Sequence, residues 1–146
     1  MFIKKIKIKT QPCFWFLFAC FFSQSVFSQT VTITAPVASA TFCAGTNITV
    51  TYSVTSNFSN TGFNNVFTTQ LSDGAGSFAT PLTLGTRTAV NGGSSAFLLP
   101  HTLPTGVAYR VRVLASNPTF TSQSNGVDLT INGLSLSTPT ITTNTF

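Results

Sequence analysis

The sequence predicts an all-β chain folded as a two-sheet antiparallel sandwich, and three observations carry that expectation. Over residues 46–55, TNITVTYSVT, apolar and polar residues alternate strictly, so that Ile48, Val50, Tyr52 and Val54 share one face of a half-buried strand. Runs of the same kind recur along the chain between clusters of Asn, Gly, Pro, Asp and Ser, and no stretch carries a competing helical period. Charged residues make up 6% of the 146, against about 25% in an ordinary globular domain, which is too few to solvate a helical bundle or to hold a chain unfolded by repulsion.

The first element is not part of the sandwich. Lys4, Lys5, Lys7 and Lys9 precede an unbroken apolar run at 13–22, CFWFLFACFF, which is followed by the small and polar SQSVFSQ. A charged start, a short apolar centre and a polar end make residues 1–28 a secretory signal peptide. Ten helical residues rise about 15 Å, half of the roughly 30 Å hydrocarbon core, so the run is too short for a permanent span. Val26 and Ser28 suit the positions before a cut and make Gln29 the first mature residue. Within the run, LFAC resembles a lipoprotein processing box that would acylate Cys20. Phe18 departs from that pattern and Phe21 and Phe22 prolong the apolar run past the supposed cut, so cleavage after Ser28 is the expectation.

The folded domain is expected over 29–132. Its strands are VTIT (31–34), TNITVTYSVT (46–55), VFTTQLS (66–72), PLTLGTR (81–87), SAFLL (95–99), AYRVRVLAS (108–116) and VDLTI (127–131). The separators SNFSNTGFNN, DGAGSFAT, NGG at 91–93, PHTLPTG and NPTFTSQSNG are rich in turn formers. Seven short strands, each with one polar face, read as an Ig-like or fibronectin III-like sandwich. Thr and Ser supply the solvating groups that charges supply elsewhere.

In LPTGVAYRVRV, Tyr109 opens the sixth strand, Val111 and Val113 continue its face, and Arg110 and Arg112 point to solvent. This resembles a tyrosine corner, in which the phenol bonds back to the preceding loop. Leu103, Pro104, Tyr109, Val111 and Val113 together are similar to the penultimate strand of a fibronectin type III repeat. A broader resemblance covers the mature chain. FCAGTNITVTYSV, NVFTTQLSDGAGSF, YRVRVLASNP and SNGVDLTI, in that order, resemble the Ig-like repeats of secreted multi-domain bacterial surface proteins. The resemblance implies a location and an adhesin-like architecture rather than an activity. The Cys-Trp-Cys pattern of antibody-type domains is missing from it.

Residues 133–146 are read as a Thr-rich tail or as the start of a further repeat, because STPTITTNTF repeats the character of VTITAPVASATF at 31–42. The expectation is that this chain is the first module of a longer protein or a truncated frame of one.

Chemistry has little to work with. Without residues 1–28 the chain keeps Arg87, Arg110 and Arg112 against Asp73 and Asp128, with no Lys and no Glu, so the formal charge of +5 gives no basis for nucleic-acid binding. His101 and Cys43 are the remaining candidates for a nucleophilic pair, and no spacing brings them together, so no catalytic residues and no enzyme activity are expected. One His and one Cys make no zinc site, and DGAG at 73–76 lacks the repeated carboxylates of a calcium loop; no metal and no cofactor are expected. Cys43, lacking an intrachain partner and following Phe42, is expected to be buried.

Binding is the better question. In an Ig-like sandwich the second-to-third and sixth-to-seventh loops emerge at one end. They carry Phe58, Phe63 and Phe120, which either form a partner-binding tip or fold back to cap the core. The partner expected for such a tip is a protein or glycan at the cell surface. Weak self-association is also expected, because a chain this poor in Lys and Glu has little to block pairing at its strand edges. The chain is therefore read as an exported, non-catalytic module with a structural or adhesive role, the alternative being a carbohydrate-binding accessory module of a secreted enzyme.

Overall fold

A computed structural model describes residues 29–58 and 65–135. The signal-peptide reading, the tail from 136 onward and Phe63 fall outside them. The described residues are all-β and contain no helix. Their ten strands are β1 (Val31–Ala35), β2 (Thr41–Cys43), β3 (Asn47–Val54), β4 (Val66–Leu71), β5 (Leu82–Thr88), β6 (Gly93–Leu98), β7 (Gly106–Tyr109), β8 (Val111–Ser116), β9 (Thr119–Thr121) and β10 (Leu129–Asn132).

Alternation forms the central strands. Ile48, Val50 and Tyr52 of β3 are buried while Asn47, Thr49 and Ser53 are exposed, and Val111, Val113 and Ala115 of β8 repeat the pattern. Three sheets result, ordered β1-β3-β6, β2-β10-β7 and β5-β4-β8-β9. The rings of Tyr52 in the first and Phe67 in the third lie 4.9 Å apart. Both belong to one apolar cluster that also takes in Leu129 and Ile131 of the second sheet, which makes the packing sandwich-like.

Ten strands replace the expected seven for three reasons. The sixth expected strand is broken at Arg110, whose N–H donates to Ser72 Oγ at 2.7 Å while its carbonyl accepts from Ser72 N at 2.8 Å. Ser72 there stands in for a ladder residue, and the halves on either side of Arg110 pair with different strands: β7 with β10, β8 with β4 and β9. The first strand leaves its sheet at Pro36, which has no N–H to offer a ladder, and reappears as β2. β9 is a three-residue return from β8, too short to show a period.

The antiparallel expectation also needs correcting at one place. β2 lies parallel to β10, with Thr41, Phe42 and Cys43 facing Thr130, Ile131 and Asn132. Every other pairing is antiparallel.

Between β9 and β10 the chain has no regular pairing with β8, and side chains replace it. Ser122 donates from its backbone to Val113 O at 2.9 Å and accepts from Val113 N, through Oγ, at 2.9 Å. Asn125 does the same to Val111 through its backbone N–H and its Oδ1. On the other flank Ala108 N donates to Gly74 O at 3.2 Å. The second and third sheets are thus joined along residues 108–113, where β7 of one runs on into β8 of the other.

Candidate functional site

Phe58, Phe67 and Phe120 meet edge to face at the end of the molecule where β1 begins and β8 turns into β9. Phe58 is fully buried, with its ring centroid 5.5 Å from Phe67 and 6.2 Å from Phe120. Its backbone N–H donates to Val90 O. Phe58 therefore caps the core and presents no ring to a partner, which removes it from the expected binding tip. The physical reason is area: withdrawing a phenylalanine side chain from water contributes about 1.5–3 kcal/mol. Phe120 is half-buried and remains at the surface.

Phe120 forms one wall of a cleft of about 340 Å³ between the open edges of β1 and β9. Thr30, Thr32, Thr121, Gln123 and Ser124 supply its polar groups. The period-two pattern of β1 sends Val31 and Ile33 inward and Thr32 outward, so hydroxyls alternate along one side. The arrangement offers an aromatic face, an amide and several hydroxyls, which bind by stacking and neutral hydrogen bonds.

The carboxylates and guanidinium groups lie elsewhere and are occupied. Asp73 Oδ1 accepts from Ala75 N at 3.0 Å and Ser77 N at 2.8 Å, which closes the DGAG turn. Asp128 accepts from Arg110 Nε at 2.7 Å. Arg112 donates to Gln70 Oε1 and lies 4.4 Å over the ring of Phe78. Arg87 donates to Tyr52 Oη and to Asn91 O. Among the described residues no group of three or more His, Cys, Asp and Glu is placed to hold a metal ion, and no helix is long and apolar enough to cross a membrane.

Tyr109 is buried, and its hydroxyl donates to Pro104 O at 2.8 Å, five residues upstream. Burial, and secondarily the charge of Asp73, push the Tyr109 phenol above its ordinary value of 10.0. Gly106 makes room for it, since a Cβ there would stand 2.8 Å from the ring.

No protein-family model, curated protein or solved structure matches this chain. The functional reading therefore rests on its own residues.

Two expectations change on inspection of the remaining candidates. Cys43 is exposed, because consecutive strand residues face opposite ways and Phe42 takes the inward position. The loop of His101 does approach the turn after Cys43: Gly45 N donates to Leu99 O at 2.9 Å, and a Cβ on Gly45 would lie 2.3 Å from His101 Nδ1. Sequence reasoning missed Gln123 and Ser124, which sit in an aperiodic loop. It also missed buried Asn65, whose Oδ1 accepts from Ser116 N and Asn117 N and whose Nδ2 donates to Ala89 O.

Proposed function

We propose that the chain is a non-catalytic, exported module of Ig-like architecture with a structural or adhesive role at the bacterial cell surface. The observation that carries this reading is the make-up of the cleft between β1 and β9. Its walls are Thr, Ser, Gln, Val, Ile and Phe120, a set that holds a partner by contact and supplies no acid or base. The Ig-like assignment is supported by the passage of the chain from β1 to β2 between sheets and by the bond from Tyr109 to Pro104. Export is supported by the charge, apolar run and polar end of residues 1–28.

A second reading, a carbohydrate-binding accessory module, is favoured by the same cleft, whose volume lies within the roughly 300–1,000 Å³ of small-ligand sites. The deciding experiment combines intact mass and cell fractionation from the native host with glycan-array binding of the purified chain. Recovery at the surface or in the medium, with residue 29 at the N-terminus and no glycan retained, supports the structural or adhesive role. Glycan retention lost in Phe120→Ala supports the accessory module, and recovery from the cytoplasm with residue 1 intact overturns both.

A further inference from the structure

The chain contains three Asn-Gly pairs, at 91–92, 125–126 and 132–133. In such a pair the glycine nitrogen can attack the asparagine Cγ, because no side chain on the glycine hinders the approach. The new C–N bond forms as the Cγ–Nδ2 bond breaks, and ammonia leaves carrying the proton given up by the glycine amide. Solvent water then opens the succinimide at either carbonyl, adding hydroxyl to that carbon and a proton to the released nitrogen, to give aspartate or isoaspartate. The step needs an asparagine side chain and a glycine N–H that the fold leaves free.

Two of the three pairs are held. Asn125 is buried, its Oδ1 accepts from Val111 N, and its Nδ2 donates to Pro36 O and Val127 O. Asn132 is exposed, but it is the last residue of β10, its carbonyl accepts from Ala44 N at 2.8 Å, and the attacking nitrogen of Gly133 donates to Thr105 Oγ1 at 3.0 Å. Asn91 differs. It is exposed in the turn between β5 and β6, and within the described residues no hydrogen bond ties its side chain or the Gly92 N–H.

The fold also demands the glycine at 92. A Cβ there would lie 2.5 Å from the Tyr52 carbonyl oxygen and 2.9 Å from Ser53 Cα, both backbone atoms that cannot swing aside. The close passage of the turn over β3 therefore fixes the residue that leaves Asn91 open to ring closure. Arg87, whose guanidinium already donates to Asn91 O at 3.0 Å, stands ready to receive the carboxylate that results.

We propose that Asn91 is a site of spontaneous deamidation in the folded protein, and that the fold protects Asn125 and Asn132. The test is incubation of the full chain at mildly alkaline pH, followed by peptide mapping for the mass gain of amide-to-carboxylate conversion, with a urea-unfolded sample alongside. In the folded chain the peptide bearing residue 91 should convert roughly tenfold or more faster than those bearing 125 and 132, since the latter must first open locally. In urea the three should converge. Asn91→Gln, which keeps the backbone carbonyl for Arg87 and requires a larger ring, should abolish the early product. Equal rates in the folded chain, the same ratio in urea, or an undiminished early product in the Gln variant would overturn the proposal.

Discussion

Asn125 and Val111 exchange two hydrogen bonds, one from Asn125 N to Val111 O at 2.9 Å and one from Val111 N to Asn125 Oδ1 at 3.1 Å. A single residue thus acts as both the backbone and the side-chain partner of a strand that, at that point, has β4 on one flank and no regular strand on the other. Asn125→Ala should cost about 1–3 kcal/mol, because Val111 N is left buried without an acceptor. Urea denaturation measures it, and an unchanged midpoint would mean that water takes over the role.

Tyr109→Phe should cost about 1 kcal/mol through the lost bond to Pro104 O. The same substitution should alter the alkaline limb of stability. The folded phenol titrates above its ordinary value of 10.0, so its contribution is complete below that value and falls away as pH rises through and beyond it. Unfolding free energy should therefore decline on the alkaline side, and decline less steeply in the Phe variant.

The two described phenylalanines of the expected tip should separate cleanly. Phe58→Ala should lose about 3–5 kcal/mol, the range for emptying a buried aromatic site. Phe120→Ala should lose less, because its ring is half-exposed, and should change the cleft far more than the core. Thermal melts rank the pair, and a smaller loss at Phe58 would contradict its place in the packing.

The Arg110–Asp128 pair is close but 40% and 49% exposed. Asp128→Asn should cost about 0–1 kcal/mol and the difference should shrink in high salt. A larger, salt-independent loss in denaturant titrations would show that the pair holds backbone rather than charge.

Asn91→Asp should be neutral or slightly stabilising, by about 0–1 kcal/mol, from a new exposed pair with Arg87. Isoaspartate at the same place lengthens the backbone beside Val90, whose carbonyl receives the Phe58 N–H, and should lower the melting temperature instead. Calorimetry on the two separated deamidation products distinguishes them.

What the sequence disclosed follows from the range of each cause. β3 and β8 are legible because alternation is local and their buried faces continue for several residues. The break at Arg110 is invisible because its cause, the Ser72 hydroxyl, lies 38 positions away. Ser122 and Asn125 read as turn formers, and their turn chemistry is real, but the strand they complete is known only once β8 lies beside them. The same holds for the cleft. Phe120 could be picked out as an aromatic in a polar loop, whereas Thr30 and Gln123 become its neighbours only through the meeting of two sheet edges.

The parallel alignment of β2 with β10 has a mechanical meaning. Force applied at residues 29 and 135 draws these two strands in opposite directions along their common axis. The bonds from Thr130 N to Ala40 O and from Ala44 N to Asn132 O are then strained in shear and together, rather than unzipped one after another. A module tethered at both ends would resist extension through this short seam.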